Sequence, residues 1–237
     1  MRLAPRPFES FCSWFLAYCR LLEAAPVDLA EHVGMSKEVL ARPLLAVDSG
    51  GLADPYLATL AEAASLNPEA IESTWMPLRR NDELVRTHSP GFHRSMVASH
   101  MSYCPNCLAQ SHGRWDNRWR LPWRQVCLVH QVWLVPRCWR CTGLQFHRQL
   151  PGNLVGDHGW SCHEPAPGAS GRTARRCGAD LREAATVPVR PGATAAVEEL
   201  DVLLRAGSDL DPEQVERFQV LVATARYLAR ADPAAAS

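Results

Sequence analysis

Tyr-Cys-Pro-Asn-Cys at residues 103–107 opens the stretch of sequence that decides the fold. Cys-Leu-Val-His follows at residues 127–130, and Cys-Trp-Arg-Cys at residues 138–141. In each motif two residues separate two metal-binding side chains, so that both can reach one ion from a tight turn. Because a tetrahedral zinc site needs four ligands, pairs of such motifs predict zinc sites that fold the middle of the chain.

The first predicted zinc site joins the first two motifs. Nineteen residues lie between the two pairs, close to the usual spacing of about 15–20 residues between zinc-binding pairs. The predicted ligands are Cys104, Cys107, Cys127 and His130.

The second predicted site starts from the third motif and needs two further ligands. The predicted set is Cys138, Cys141, Cys162 and Cys177. The last two cysteines are separated by 14 residues, so they do not form a close-set pair, but Gly178 after Cys177 suits a ligand-bearing turn. His158 and His163 stay open as alternatives to Cys162.

Both sites would have four protein ligands, whereas a catalytic zinc ion keeps an open position. The sequence contains no HExxH, GxSxG, Walker A or GxGxxG motif. Asp116 is the only acidic residue within residues 104–150, so no carboxylate cluster is available there for a nuclease-type metal pair. We therefore predict a non-enzymatic protein with two structural Zn²⁺ ions.

The remaining two cysteines, Cys12 and Cys19, are seven residues apart on an apolar helix face. They are predicted core residues.

The distribution of charge divides the chain into three parts. The 25 basic and 25 acidic residues cancel over the whole sequence, which by itself argues against a nucleic-acid partner. Residues 1–78 carry −5, residues 79–182 carry +9 and residues 183–237 carry −4. These segments are the predicted domains: a helical N-terminal part, a basic zinc-binding region, and two C-terminal helices at 193–206 and 212–230. The predicted fold class is mostly α with small zinc-finger or zinc-ribbon modules.

The basic region interleaves arginine with tryptophan. Arginine suits bidentate contacts with phosphate, and the candidate nucleic-acid contacts are Arg114, Arg118, Arg120, Arg124, Arg137 and Arg140. In the alternative interpretation the tryptophans pack the zinc core and the arginines are merely solvated.

The N-terminal part contains an internal repeat, in which residues 29–40 align with residues 60–71. Each copy predicts a short helix, a turn and a second helix, an arrangement typical of helix-turn-helix units. A base-reading helix would begin at Ser36–Leu40 or at Asn67–Ile71. Lys37 is the single basic residue of the two candidates, so neither carries the basic residues that a base-reading helix usually has. A structural corner is therefore the competing interpretation.

Apolar residues form no run of the roughly 18 residues that a membrane span needs, so we expect no membrane crossing. Phe11–Leu22 is apolar, but its pattern favours a helix face over a secretory signal. We therefore expect a cytoplasmic protein whose thiols stay reduced.

The order of these features resembles the TniQ/TnsD-type transposition proteins. The proline-bounded start and the Glu-Ser-x-x-Ser-Trp helix of that family match Pro5, Pro7, Phe8, Glu9, Ser10, Ser13 and Trp14. Its Leu-Ala-x-x-x-Gly-Leu corner matches residues 60–66, with Ser65 in place of glycine, and Asn67, Pro68 and Glu69 follow. Its CPxC, Trp-rich, CxxH, CPxCG and CGxDLR elements match residues 104–107, 115–123, 127–130, 138–141 and 177–182. The departures are Trp139 in place of proline, Thr142 before Gly143, and the wide spacing of Cys162 and Cys177, which indicates an inserted loop.

This resemblance implies an adaptor that selects transposition target sites. Such proteins connect a targeting element, either target DNA or a CRISPR effector complex, to an AAA+ transposition ATPase. The last predicted ligand, Cys177, is followed by 60 residues, as in short members of the family, which favours bridging between proteins with supplementary DNA or RNA phosphate contacts. A homodimer is compatible with this role. The alternatives are a sequence-specific, zinc-containing helix-turn-helix regulator and, less favoured, a zinc-dependent nucleic-acid hydrolase.

Overall fold

A computed structural model of the chain describes residues 2–35, 54–75, 100–121, 123–146, 158–169, 175–189, 193–206 and 210–231. The described residues contain seven α-helices: α1 (Phe11–Leu21), α2 (Pro26–His32), α3 (Asp54–Ala64), α4 (Pro68–Glu72), α5 (Pro105–Gln110), α6 (Ala193–Ala206) and α7 (Pro212–Ala231). They also contain the strands β1 (Val126–Cys127) and β2 (Val132–Trp133) and two 3₁₀ turns, Asn117–Arg120 and Leu181–Glu183. This is the helix-rich fold with little sheet that the sequence predicts.

Helix α1 lies inside the protein. Ser10 caps its N-terminus, where the hydroxyl accepts a hydrogen bond from the Ser13 amide at 3.2 Å. Every residue from Phe11 to Cys19 is buried, including Cys12. A helix that is buried on all sides needs packing partners around its whole circumference, so α1 forms the centre of the N-terminal part.

Helices α2 and α3 end in the same way. Gly34 and Ser65, which align in the internal repeat, both have left-handed backbone conformations with φ of 71° and 54°. In the following residues the Met35 amide donates to the Ala30 carbonyl at 2.7 Å and the Leu66 amide to the Ala61 carbonyl at 2.9 Å. Hydrogen bonds from residue i to the carbonyl of residue i−5, next to a residue with a left-handed backbone, are typical of the Schellman motif, which ends a helix.

The second predicted base-reading helix is short. Helix α4 has five residues and carries acidic side chains at Glu69 and Glu72, while its Ile71 is fully buried. The first candidate, Ser36–Leu40, lies outside the described residues. The corner made by α3 and α4 therefore contributes an apolar residue to the core and an acidic surface to the outside.

One hydrophobic core joins the N-terminal helices to the cysteine-rich region. The cluster of buried residues extends from Phe11 in α1 to Ala184, and so crosses the predicted boundary between residues 78 and 79. Between these parts, the Ser10 amide donates to the Trp115 carbonyl at 2.9 Å and the Trp115 amide to the Ser13 hydroxyl at 2.9 Å. The start of helix α1 and the tryptophan-rich stretch are thus connected by hydrogen bonds as well as by the shared core.

The C-terminal helices pack on the basic stretch. Asp211 and Gln214 cap α7 reciprocally: the Gln214 amide donates to the Asp211 carboxylate at 2.8 Å and the Asp211 amide to the Gln214 side chain at 3.0 Å. Phe218 of α7 meets the Trp123 ring edge-to-face, with 5.7 Å between ring centroids. Leu200 of α6 is fully buried. Among the helices of the described ranges, none combines the length and the apolar character needed to cross a membrane.

Candidate metal centres

The first cysteine cluster is assembled from a helix start and a hairpin turn. Cys104 lies at the N-cap of α5 with Pro105 in the first turn, so that Cys107 follows one helical turn later. Cys127 ends β1 and His130 lies in the turn that leads to β2. The Gln131 amide donates to the Cys127 carbonyl at 2.8 Å and holds that turn closed.

Four ligand atoms converge in this cluster. The Sγ atoms of Cys104, Cys107 and Cys127 and a ring nitrogen of His130 lie within 4.8 Å of one another. His130 Nδ1 is 3.2 Å from Cys107 Sγ and 3.5 Å from Cys127 Sγ, and the latter two sulfurs are 3.5 Å apart. Tetrahedral zinc with Zn–S bonds of about 2.3 Å separates its ligand atoms by about 3.5–3.8 Å. The cluster therefore has the size of a tetrahedral metal site.

The electrostatics of the cluster also favour a cation. Hydrogen bonds with Cys104 and Cys107 lower the pKa of the Cys127 thiol, whereas hydrogen bonds with Cys104 and Cys127 raise the pKa of Cys107 above its usual range. Thiols packed this closely can share one negative charge, but further ionisation is opposed by repulsion. A divalent cation removes that conflict, because it binds every thiol as the thiolate.

The second cluster shows how two cysteines without a close-set motif can meet. Cys162 and Cys177 lie on facing antiparallel segments that pair at Ser161 with Asp180 and at Pro165 with Arg176. The Gly178 amide donates to the Cys162 carbonyl at 3.0 Å, and Gly178 has a left-handed φ of 62°. The pairing of these two described segments thus brings Cys162 and Cys177 together.

The four sulfurs of this second cluster, from Cys138, Cys141, Cys162 and Cys177, also lie within 4.8 Å of one another. Cys138 Sγ is 3.9 Å from Cys177 Sγ and Cys141 Sγ is 3.6 Å from Cys162 Sγ. Burial raises the pKa of the Cys141 thiol to about 11 and that of Cys162 further. Four sulfurs at this spacing, three of them from buried cysteines, form a donor set typical of soft divalent metals.

Polar groups around the second cluster support thiolate ligands. The side-chain amide of Gln145 is buried and donates to Cys162 Sγ at 3.4 Å and to the Gly143 carbonyl at 3.0 Å. The Arg140 amide donates to Cys138 Sγ at 3.4 Å. Hydrogen bonds of this kind orient metal ligands. Sequence reasoning missed Gln145, since nothing in its local sequence links it to Cys162.

The histidines that were open as alternatives occupy other surroundings. His158 stacks on the Trp160 ring with 4.6 Å between centroids. His163 meets Phe146 edge-to-face, with 6.5 Å between centroids. The group of four sulfurs forms without either of them.

The predicted nucleic-acid contacts divide into inward and outward arginines. Arg120 and Arg124 are 2% and 4% exposed, so they lie in the interior. The Arg114 guanidinium forms a two-pronged ion pair with the Glu9 carboxylate, which is buried. These three side chains therefore serve the fold, and a phosphate on the surface does not reach Arg120 or Arg124.

A carboxylate of helix α6 neutralises two of the arginines that lie largely inside the protein. Asp201 of α6 is 4% exposed, pairs with Arg118 at 3.1 Å and also contacts Arg124. Arg118 is further paired with Asp116 at 2.6 Å. Arg137 and Arg140, beside the second cluster, are exposed. Sequence reasoning missed Asp201 because its partners lie about 80 residues earlier in the chain.

Comparison with known proteins identifies a related family. Residues 1–134 match the model of the TniQ family. The matched region contains the N-terminal helices and all four residues of the first cluster. No curated protein matches the chain.

Proposed function

The chain belongs to the TniQ family of transposition accessory proteins, and we propose that it is a non-enzymatic adaptor for target-site selection. In this role it bridges a targeting element, either target DNA or a CRISPR effector complex, to an AAA+ transposition ATPase in the cytoplasm. The observation that carries the proposal is the family match over residues 1–134, which includes the helical part and the first cysteine cluster together.

The two clusters support a structural role for zinc. Each offers four protein ligands, Cys₃His in one and Cys₄ in the other, and both donor sets are typical of closed zinc sites. A closed site supplies folding energy and leaves no position for an activated water molecule. The metal in both clusters is therefore proposed to be Zn²⁺.

The charge distribution supports bridging. The N-terminal and C-terminal segments carry −5 and −4, and the middle carries +9. Because acidic and basic surfaces attract different partners, one chain can hold a protein partner and a phosphate-bearing partner at once.

Binding to the ATPase tests the adaptor role directly. The zinc-loaded chain, immobilised, is mixed with the purified AAA+ ATPase of the same transposon, with ATP and DNA present. We expect retention of the ATPase that depends on ATP and persists when target DNA is omitted. Absence of retention under all of these conditions contradicts the adaptor role.

Metal counting separates structural zinc from a hydrolase. We expect two zinc ions per chain. We also expect no thiol of the folded protein to react with a thiol reagent, because metal protects the seven ligand cysteines and burial protects Cys12 and Cys19. One exchangeable metal that binds a water molecule contradicts the closed sites and favours the hydrolase.

A band-shift series separates the adaptor from a sequence-specific regulator. A regulator binds one sequence about 10³-fold more tightly than competitors. We expect weak binding by the isolated chain with a steep dependence on salt and little dependence on sequence.

A further inference from the structure

We propose that the surface beside the second cysteine cluster binds single-stranded nucleic acid, with a base stacked on Trp139 and phosphates held by Arg137 and Arg140. This inference deepens the proposed function, since it assigns the nucleic-acid side of the bridge to one surface. That surface, named here the Trp139 surface, consists of Arg137, Trp139, Arg140, His158, Trp160 and Arg182.

Trp139 is a large aromatic side chain held at the surface. It is 46% exposed, although its indole N–H is satisfied by the Asp180 carbonyl at 2.9 Å. That hydrogen bond fixes the edge of the ring. A ring with a fixed edge and an exposed face loses little conformational entropy when a flat ligand stacks on it.

The neighbouring side chains extend the aromatic surface. The Arg182 guanidinium lies 3.9 Å from the centroid of the Trp160 ring, and the exposed His158 stacks on the same ring within 7° of parallel. Asp180 connects this stack to Trp139, because its carbonyl accepts from the indole and its carboxylate pairs with Arg182 at 2.6 Å. The two aromatic groups therefore belong to one continuous surface.

The charge of this surface matches phosphate. The Arg140 guanidinium lies 5.5 Å from the centroid of the Trp139 ring and is exposed. Arg137 is exposed and is anchored by a hydrogen bond to the Thr142 carbonyl at 3.0 Å. The guanidinium groups of Arg114, Arg118 and Arg124 pair with carboxylates. Among the described residues, Arg137 and Arg140 have no carboxylate partner, so their charges are available to a phosphate.

The combination favours a single strand over a duplex. Bases in a duplex are already stacked on one another, whereas a single strand offers their faces to an aromatic platform flanked by positive charge. Stacking on an aromatic side chain contributes to binding any base, so the surface is expected to bind with little sequence preference.

Fluorescence anisotropy tests the proposal on the full, zinc-loaded chain. The probes are a fluorescein-labelled oligothymidylate and oligouridylate of about 20 nucleotides and a duplex of the same length. We expect Trp139→Ala to weaken single-strand binding about tenfold, because one base loses its stacking partner. We expect Arg140→Glu to weaken it and to lower the slope of log affinity against log salt by about one. The two single-stranded probes show whether DNA or RNA binds better.

Matched variants distinguish this surface from general effects. Trp139→Phe keeps an aromatic face and is expected to retain most of the binding, and Arg6→Glu reverses an exposed charge outside the surface and is expected to change little. Zinc content and thermal melting confirm that each variant is folded. If Trp139→Ala and Arg140→Glu both bind as the unchanged chain does, or if the duplex binds more tightly than either single strand, the proposal is wrong. Retention of the ATPase by the same variants is a separate measurement, so that failure of this surface and failure of the adaptor role can be told apart.

Discussion

At the scale of single residues, two departures from the pattern that the sequence resembles fall on strained backbone positions. Ser65 and Thr142 stand where the family pattern has glycine, and both have left-handed backbones with φ of 54° and 57°. A side chain in this conformation is strained, and a β-branched one more so. The chain therefore keeps the turns of the family while it carries side chains that those turns disfavour.

This strain leads to a stability prediction at Ser65. We expect Ser65→Gly to raise the free energy of unfolding by about 0.5–1 kcal/mol, because relief of the left-handed strain exceeds the added chain entropy. Urea unfolding measures the change. The control is Ser73→Gly, since Ser73 is exposed like Ser65 but has a right-handed φ of −61°, and there glycine is expected to give no gain. Equal effects at both positions would refute the explanation by backbone strain.

A second residue-scale prediction concerns pH. Hydrogen bonding from Arg182 lowers the pKa of the Asp180 carboxyl, so the carboxylate stabilises the fold above its unfolded pKa of about 3.9 and loses this effect only as pH falls below that value. We expect Asp180→Asn to cost at most about 1 kcal/mol, given its partial exposure. The cost should be no smaller at about pH 6 than at about pH 8, because the carboxylate stays ionised at both. A cost that shrinks at the lower pH argues against the lowered pKa.

At the scale of elements, α1 is attached to the metal-binding region by a buried ion pair. Glu9 precedes the helix, its carboxylate accepts from the Ser13 hydroxyl at 2.8 Å and from the Arg6 amide at 3.0 Å, and it pairs with Arg114. The three polar side chains of the Glu-Ser-x-x-Ser motif thus have separate roles. Ser10 caps α1 and Ser13 accepts a hydrogen bond from the Trp115 amide. Glu9 forms the buried ion pair with Arg114, named here the Glu9–Arg114 clamp.

Removal of the Glu9 charge should loosen this attachment. We expect Glu9→Gln to lower the free energy of unfolding by about 3 kcal/mol, because Arg114 keeps its charge in a largely buried position. The double variant with Glu9→Met and Arg114→Met is expected to lose less, since no buried charge is left without a partner. Glu199→Gln, which breaks the exposed pair with Arg217, is the control and should cause no measurable change in urea unfolding. If the Glu9→Gln variant is as stable as this control, the ion pair between Glu9 and Arg114 does not stabilise the attachment of α1.

The elements also show what the sequence could predict. The two-residue spacing of the cysteine motifs predicts which side chains share a cluster, because such spacing depends only on local turn geometry. The same local rules correctly place the start of the last helix at Pro212. The meeting of Cys162 with Cys177 depends on the pairing of two antiparallel segments. The burial of Arg124 depends on Asp201, a partner far along the chain. Such long-range pairings have no local sequence signal.

At the scale of the whole molecule, one core connects the metal clusters to the N-terminal helices. Cys104 and Cys127 belong to the same cluster of buried residues as Trp14 and Leu60. The stability of the helices and the occupancy of the clusters are therefore expected to depend on each other.

Removal of the metal tests this dependence. Structural zinc supplies on the order of 10 kcal/mol of folding energy, comparable with the whole stability of a typical domain. We expect chelation, or Cys104→Ser, to abolish the hydrogen-exchange protection of α1 amides as well as that of residues 104–182. Cys19→Ala, which removes a buried thiol outside both clusters, should keep its full metal content and this protection. Persistent protection of α1 in the chelated protein would contradict a shared core.

The clamp between Glu9 and Arg114 also has a consequence for the order of events during synthesis. The two residues are 105 positions apart, so a ribosome adding about 5–20 residues per second makes Arg114 about 5–20 seconds after Glu9. During that interval the nine residues of α1 that end up buried have only the earlier helices to pack against and lack the part of the core that follows residue 100. The nascent chain is therefore expected to need protection by a chaperone until Arg114 has been made.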